Sequence, residues 1–407
     1  MRIADGHRLC AIVFVFVLGM SSAEDWPNWR GPNHNGISAE SGWQLSLEKV
    51  AWRAKVGIGF SSCSVADDNV LIMGHDGKSK GGNETVSCLD SATGRVRWSD
   101  SYQAELLPNL HEGGPASTPT ISGGKVYTLS KDGNLRCYDL RTGKRDWVFD
   151  LLKHSGMGSP PEWGFSGSPL ILGKQLIVEA GRTFALNKSD GKELWRSAEY
   201  KPAYGSPVPF VHDGRTLLAI VKTEGLVILD AESGKTVAFT EWKTSYETNA
   251  CTPIVLGNRI FISTGYKRGC ALFELASGKL RQIYTHRELS NHMNGSVVIN
   301  GFIYGFDGNT HMAGARELVC MELDSGKVRW RQAGLRCGSL MAADGRLILL
   351  GEIGTLAIAK ASSEKYEQLA SSQVIGGRCW TAPVIANGRI YCRNAAGDLV
   401  CIDVRKP

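Results

Sequence analysis

A four-stranded unit recurs along this chain, and its repetition constrains the fold more than any other feature of the sequence. The clearest copy is residues 116–147, ASTPTISGGKVYTLSKDGNLRCYDLRTGKRDW. Residues 126–129 alternate like a half-buried strand, and residues 132–134 and 142–144 are typical of turns. One such meander cannot cover both faces of its own sheet, so further copies have to pack against it.

The position of the opening proline identifies eight copies. The equivalent residues are Cys63, Pro119, Pro169, Pro207, Pro253, Ser296, Leu340 and Pro383. The differences between successive positions are 56, 50, 38, 46, 43, 44 and 43 residues. Eight four-stranded copies at this period predict an all-β fold, an eight-bladed β-propeller of four-stranded antiparallel blades.

The two ends of the repeat region indicate how the ring closes. Residues 49–52, KVAW, copy the fourth-strand pattern of residues 95–98, RVRW, although no first three strands precede them. The last copy stops after residues 399–403, before a fourth strand. We therefore expect one propeller domain, residues 49–407, in which the N-terminal strand completes the last blade and removes the exposed sheet edges. Residues 24–48 form an N-terminal extension.

The first 23 residues have the pattern of a secretory signal peptide. Arg2 and Arg8 precede or flank an apolar run at residues 9–18, and SSA follows at residues 21–23. Ten apolar residues are too few to span a bilayer. We expect a periplasmic or secreted protein that is soluble after cleavage and not embedded in the membrane.

The charge of the chain does not indicate a nucleic-acid partner. The formal net charge is +6, and residues 1–23 contribute two arginines and one aspartate, which leaves +5 after cleavage. This modest excess is spread over the whole chain.

Tryptophans recur at one position of the repeat, four residues after the glycine of the last turn or in the matching N-terminal pattern. We expect them to pack between blades, and they are Trp52, Trp98, Trp147, Trp195 and Trp330. Copies four, five and seven place Ala238, Gln282 and Gln368 there. Trp26 and Trp29 precede the repeats and are expected to cover a blade surface.

The cysteines have the pattern of buried thiols. Cys88, Cys137, Cys320 and Cys401 share one position in the third strand, and equivalent positions of different blades are too far apart to bridge. If the chain contains a disulfide, the favoured pair is Cys337 and Cys379. The sequence has no CxxC or HExxH motif, so no metal ligand is assigned.

The A-S-x-P opening, the G-x-L-x-C-x-D third strand and the T-G-K-x-x-W close resemble the PQQ-repeat propellers. That group contains the quinoprotein alcohol dehydrogenases and the propeller lipoprotein of the outer-membrane β-barrel assembly machine. The leader WPNWRGPNHNG is similar to that of secreted bacterial members. The resemblance covers residues 50–407 and implies the fold, whereas activity depends on the loops.

Candidate ligand-binding residues lie at the mouth of the central channel. In such a propeller, the connections that enter the first strand and join strands two and three share this face. The candidates before the first strands are Phe60, Glu112, Trp163, Phe165, Tyr204, Glu247, Asn249, Asn291, His292, Arg336, Arg378 and Trp380. Aromatic rings beside polar groups predict a pocket for a planar polar ligand. The alternative is that these side chains only close the funnel and contact water.

Three functions are compatible with these patterns. The favoured one is a monomeric, non-catalytic scaffold that binds a protein, a peptide or a small polar ligand, with no cofactor and no catalytic residue. The second is a PQQ-dependent alcohol or sugar dehydrogenase with calcium, which requires a base and oxygen ligands; the mouth offers only Glu112, Glu162 and Glu247, and the adjacent cysteines of those enzymes are lacking. The third is a carbohydrate-binding propeller with Trp163 and Trp380 as platforms.

Overall fold

The computed structural model describes residues 23–406 of the chain. The predicted signal peptide, residues 1–23, lies outside the described residues apart from Ala23. Two short N-terminal strands, β1 (Ile37–Ser38) and β2 (Val50–Lys55), come first in the chain, and each joins one of the eight sheets that the later strands form. The sheets follow one another along the chain as the blades of an eight-bladed β-propeller, which confirms the predicted fold class.

Each blade runs from an innermost first strand to an outermost fourth strand. Blades one to four contain β3 Ser64–Ala66, β4 Asn69–His75, β5 Asn83–Asp90, β6 Val96–Gln103; β7 Thr120–Ser122, β8 Lys125–Leu129, β9 Asn134–Asp139, β10 Arg145–Asp150; β11 Leu170–Leu172, β12 Gln175–Ala180, β13 Arg182–Asn187, β14 Glu193–Arg196; and β15 Val208–His212, β16 Arg215–Val221, β17 Gly225–Asp230, β18 Thr236–Glu241.

Blades five to eight continue in the same order. They contain β19 Ile254–Leu256, β20 Arg259–Thr264, β21 Gly269–Ala276, β22 Lys279–His286; β23 Val297–Ile299, β24 Phe302–Asp307, β25 Glu317–Glu322, β26 Val328–Gln332; β27 Ser339–Ala343, β28 Arg346–Leu350, β29 Thr355–Lys360, β30 Gln368–Gln373; and β31 Val384–Ala386, β32 Arg389–Arg393, β33 Asp398–Asp403. Two short helices lie in connections, α1 Leu151–Ser155 and the 3-10 helix Ser245–Glu247.

The ring closes through the N-terminal strand, as the sequence predicts. Strand β2 pairs antiparallel with β33, and Trp52 lies opposite Cys401. The eighth blade is therefore built from both ends of the repeat region, so unfolding either end opens the ring.

The hydroxyl residue before the opening proline explains why the repeat starts as it does. The backbone N–H of Ser62 donates to Thr118 Oγ1 (3.2 Å), and that of Thr118 donates to Ser168 Oγ (3.0 Å). The series continues from Ser168 to Ser206 (2.9 Å) and from Ser206 to Thr252 Oγ1 (3.3 Å). Each hydroxyl thus satisfies a buried backbone donor of the preceding blade and links the innermost strands of blades one to five.

Four of the five repeat-position tryptophans pack over the turn glycine of the next blade, and the fifth, Trp330, packs against Tyr366. A Cβ on Gly143 would lie 2.6 Å from the Trp98 ring, and its φ of +70° also favours glycine. The indole N–H of Trp98 donates to Leu140 O (2.7 Å). Gly94, Gly191 and Gly234 make the same close approach to Trp52, Trp147 and Trp195.

Two of the expected substitutes at this position are wrong. In blade five the fourth-strand residue that takes the place of the tryptophan is Tyr284 rather than Gln282, because the hairpin between the third and fourth strands is longer. In blade seven it is Ala370 rather than Gln368. In both blades the hairpin is two residues longer than in blade one, where Cys88 faces Trp98, because Leu272 faces Tyr284 and Ile358 faces Ala370; fixed spacing from the glycine does not reveal this.

The N-terminal extension closes the central channel. Residues 25–38, the plug segment, bond to the inner edges of several blades. The backbone of Trp26 pairs with Val65, Ile121 N–H donates to Pro27 O (2.8 Å), and Arg30 Nη2 donates to Ser296 O (2.6 Å). Strand β1 then pairs parallel with β27 of blade seven. The plug segment therefore spans the channel from blade one to blade seven rather than covering one blade surface.

All ten described cysteines are buried and none is bonded to another, including Cys337 and Cys379. Burial raises the pKa of the Cys63 and Cys401 thiols to about 12.

Within residues 23–406, no helix is long and apolar enough to cross a membrane.

Candidate functional site

A blind cavity of about 170 Å³ opens at the mouth of the propeller, and we call it the mouth cavity. Trp29 of the plug segment lines it, and its indole N–H donates to Thr252 Oγ1 (2.9 Å). The walls come from the connections that enter the first strands or join strands two and three. The lining residues are Trp29, Phe60, His111, Ala116, Lys131, Trp163, Ser166, Ser168, Tyr204, Ser206, Thr248, Ala250, Thr252, Tyr266, His292, Met293, Asn294, His311, Trp380 and Thr381.

Aromatic and imidazole rings contact one another in a chain around the cavity. His111 stacks on Trp163 (5.3 Å between ring centres) and meets Phe60 edge-on (5.1 Å). Phe60 stacks on Trp380 at 5.5 Å. A planar apolar group entering the mouth would therefore meet ring faces and edges on several sides.

The chain continues on the other side of Trp380. His311 lies 5.4 Å from Trp380 and 5.4 Å from His292, and His292 lies 5.2 Å from Tyr266. Tyr266 meets Tyr246 at 5.0 Å, and the Tyr246 side chain is exposed at the rim.

The three histidines are neutral at physiological pH. Desolvation lowers the pKa of His111 to about 3 and that of His292 to about 4, and it also lowers the pKa of His311. The nearby cations Lys131 and Arg378 lower the pKa of His111 further. The rings thus act as uncharged aromatic surface rather than as cations.

Lys131 places a cation in this uncharged wall. The residue is only 1% exposed, and no described residue accepts a hydrogen bond from its Nζ. Desolvation lowers its pKa to about 8, partly offset by the Glu84 carboxyl. Glu84 itself accepts the Lys131 backbone N–H (3.1 Å) and the Tyr102 hydroxyl (3.2 Å).

Several residues expected at the mouth do line the cavity. These are Phe60, Trp163, Tyr204, His292 and Trp380. Trp380 is held from behind, since its indole N–H donates to Glu352 Oε1 (3.1 Å). The ring that faces the cavity is therefore fixed in orientation.

Three other residues expected at the mouth are buried within the blades and do not line the cavity. Phe165 is buried in the core between blades two and three. Asn249 is fully buried, and its amide donates to Lys222 O (2.8 Å) and Trp242 O (3.0 Å). Asn291 is buried and donates to Phe306 O (2.9 Å). Each lies in the connection that enters a first strand, five or six residues before β11, β19 or β23, and its side chain turns into the blade.

The charged candidates lie outside the cavity. Arg378 Nη1 pairs with Glu112 Oε2 (2.8 Å), and its guanidinium lies 4.4 Å from the Trp380 ring centre on the outer side of the mouth. Glu247 is exposed and pairs with Lys201 (2.7 Å). Arg336 is exposed and has φ +56°. The expectation of acidic and basic side chains inside one pocket is therefore wrong for these four residues.

Sequence reasoning missed five residues that shape the cavity: Trp29, His111, Lys131, Tyr266 and His311. Lys131, Tyr266 and His311 lie in connections between strands two and three, whereas the candidates were taken from the connections that enter first strands. His111 directly precedes the candidate Glu112. His311 lies in the long connection between β24 and β25, which could have been searched for aromatic and basic residues. Trp29 had no such signal, because the path of the plug segment depends on tertiary contacts alone.

The residues of the mouth do not fit a calcium–quinone centre. Calcium takes six to eight oxygen ligands, with carboxylates prominent among them. No Asp or Glu lines the mouth cavity, and Glu162 is bound by Asn109 Nδ2 (3.0 Å) away from it. Residues 23–406 contain no group of three or more His, Cys, Asp or Glu side chains that could hold a metal ion.

Fold and site together define a PQQ-repeat β-propeller. Its central channel is closed by the plug segment, and the aromatic mouth cavity lies on the side of the plug that faces the mouth. The family model described as outer membrane protein assembly factor BamB matches residues 38–162 and 160–332. The chain belongs to this family.

Relatives and solved structures agree with that assignment. The assembly factor BamB of Bordetella pertussis is 24% identical over 386 residues, 87% of this chain and 86% of the relative. BamB of Xanthomonas campestris is 28% identical over 159 residues, only 37% of this chain and 37% of the relative.

Among solved structures, BamB from Moraxella catarrhalis has a TM-score of 0.59 at 18% identity, and it covers 86% of this chain and 100% of that one. The quinohemoprotein alcohol dehydrogenase from Comamonas testosteroni has a TM-score of 0.66 at 13% identity, and it covers 94% of this chain and 81% of that one. At these identities the structural likeness shows the fold alone, so it does not separate an assembly factor from a dehydrogenase.

Proposed function

We propose that this protein is an exported, non-catalytic scaffold that binds a polypeptide partner across its mouth during the assembly of outer-membrane proteins. One ring-sized side chain of the partner occupies the mouth cavity. The family and its relatives are named for outer-membrane protein assembly, which supports the process and the kind of partner.

The observation that carries the proposal is the blind cavity lined by uncharged rings. A dry cavity of about 150 Å³ holds a benzene ring, and the mouth cavity has about 170 Å³. Small-molecule sites are typically about 300–1,000 Å³. The cavity is thus sized for one anchoring side chain, and anchors of this kind concentrate binding energy in protein interfaces.

The surroundings of the cavity favour a polypeptide. Tyr246 at the rim is 73% exposed, and Leu110 of another mouth connection is 69% exposed. Both have positive φ, +66° and +57°, a backbone conformation that costs free energy in a residue other than glycine. An extended chain lying across the mouth would cover them.

A cavity-filling substitution tests the proposal. Ala250 lines the cavity, and Ala250→Trp fills it without removing a contact. The control is Phe239→Trp, which adds the same side chain at an exposed position of the outermost strand β18. The probe is a fluorescently labelled porin, unfolded in urea and diluted into buffer, and anisotropy reports binding.

We expect the unfolded porin to bind the wild-type protein and the Phe239→Trp variant equally, and the Ala250→Trp variant at least tenfold more weakly. Equal binding by all three proteins would show that the cavity does not anchor the partner.

A further inference from the structure

Two buried lysines occupy the same kind of connection but have opposite surroundings. Lys222, between β16 and β17, donates to Glu179 Oε2, to Gly181 O (2.7 Å) and to Thr183 Oγ1 (3.0 Å). Lys131, between β8 and β9, has no described acceptor for its ammonium. Its ammonium is offset only in part, by the Glu84 carboxyl, whose pKa is raised to about 7. A buried charge with no hydrogen-bond acceptor is costly, so a protein that keeps one has a use for it elsewhere than in stability.

The Lys131 side chain is directed by a close backbone contact. A Cβ on Gly164 would lie 2.1 Å from Lys131 Cγ and 2.8 Å from its Cε. The side chain therefore lies in a groove that only glycine leaves open, and Phe165 N–H donates to Lys131 O (2.8 Å) on the same side. This groove leads the ammonium to the wall of the mouth cavity.

The charge balance of the cavity specifies the ligand. The nearby histidines are neutral, Arg378 is paired with Glu112, and no carboxylate lines the cavity. The buried Glu84 carboxyl also interacts with Lys131, but burial raises the pKa of Glu84 to about 7, so this carboxyl offsets the ammonium only in part. The positive charge that remains balances at most one negative charge. A phosphate dianion would leave one charge uncompensated, whereas a carboxylate would not. The surrounding rings require an aromatic group beside that carboxylate.

We propose that Lys131 is the anion-recognition residue of the mouth cavity and that it binds a carboxylate carried next to an aromatic ring. The inference rests on the proposed function and deepens it: the anchoring group is the last residue of a chain, with its ring among the tryptophans and its terminal carboxylate on Lys131. A free aromatic acid has the same chemistry, and the test separates the two sources.

The test is a calorimetric titration at pH 7 with four probes. Two are small, 3-phenylpropionate and its neutral analogue 3-phenylpropionamide. Two are peptides, acetyl-Gly-Gly-Phe with a free carboxylate and the same peptide amidated. The proteins are the wild type, Lys131→Met, and Lys174→Met as a control that removes an exposed lysine elsewhere.

We expect the wild type and Lys174→Met to bind the acids at least tenfold more tightly than the amides, and Lys131→Met to lose this preference. Stronger binding of the peptide acid identifies a chain terminus, and stronger binding of the small acid identifies a free aromatic acid; both support recognition by Lys131.

Equal affinity for acids and amides in the wild type, or an acid preference that survives in Lys131→Met, would overturn the inference. So would the absence of binding by both acids at millimolar concentration. The proposed function is judged separately, because the effect of Ala250→Trp on porin binding does not depend on a carboxylate.

Discussion

The contrast between Lys222 and Lys131 predicts opposite effects on stability when either ammonium is removed. In Lys222→Met, the Glu179 carboxylate keeps donors from Gly181 N (2.8 Å) and Thr183 Oγ1 (2.8 Å) but loses its counter-charge. Both side chains are at most 1% exposed. Breaking a buried pair by removing one partner costs about 3–5 kcal/mol, and that is the loss expected here.

In Lys131→Met, the Glu84 carboxyl loses a charge that balances it only in part, and it keeps its hydrogen bonds from the backbone N–H of residue 131 (3.1 Å) and the Tyr102 hydroxyl (3.2 Å). Methionine retains a long apolar stem in the groove at Gly164, and an ammonium without a hydrogen-bond acceptor disappears. We expect the free energy of unfolding to change by less than about 1 kcal/mol, in either direction. Urea unfolding at pH 7, followed by tryptophan fluorescence, measures both variants, provided that their m-values match the wild type.

A loss in Lys131→Met as large as that in Lys222→Met would refute the reasoning, since it would show that Lys131 is a structural cation. The double variant Lys222→Met/Glu179→Gln supplies a further check. It should recover part of the loss, because the glutamine removes the unpaired carboxylate.

Three further predictions concern the ring and its thiols. Deleting residues 24–55 removes the plug segment and β2, so the melting temperature should fall sharply and size-exclusion chromatography should show oligomers; an equally stable monomer would contradict ring closure. Trp52→Ala should cost about 3–5 kcal/mol in urea unfolding, because the indole is buried and donates to Ser91 O (3.0 Å). Raising the pH from about 7.5 to 9.5 should lower the urea midpoint, since unfolded thiols ionise near pH 8.5 whereas buried ones such as Cys63 and Cys401 keep their protons up to about 12.

The sign of the thiol effect follows from linkage. The pKa of these groups is higher in the folded state than in the unfolded state, so their stabilising contribution is complete below about pH 8.5 and is lost as the pH rises. Cys63→Ala should weaken the pH dependence without abolishing it, because nine other described thiols remain. A midpoint that does not change with pH would contradict the burial of these thiols.

The architecture was predictable because one local pattern is repeated eight times. The hydroxyl before the opening proline, the turn glycine and the tryptophan after it each have a contact in the structure, as Ser168, Gly143 and Trp98 illustrate. Closure by β2 followed from the same pattern, since Trp52 copies Trp98.

The candidate site was predictable only in part. Trp163, Tyr204 and Trp380 could be placed at the mouth because each lies in a connection that enters a first strand, and the blade geometry fixes where these connections lie. It does not tell whether a side chain turns into the cavity or into the blade, as Phe165 does. Trp29 reaches the cavity through contacts with distant blades, and no spacing rule encodes such a path.

Site-specific photo-crosslinking tests most directly whether the mouth binds a polypeptide. A photoreactive phenylalanine analogue replaces Tyr246, which is exposed at the rim beside Tyr266, or Val148, which is exposed on the outermost strand β10 of blade two. With urea-unfolded porin as the partner, we expect crosslinks from position 246 that disappear in the Ala250→Trp background, and none from position 148. Crosslinks of equal yield from both positions, or crosslinks from position 246 that persist when the cavity is filled, would contradict binding at the mouth.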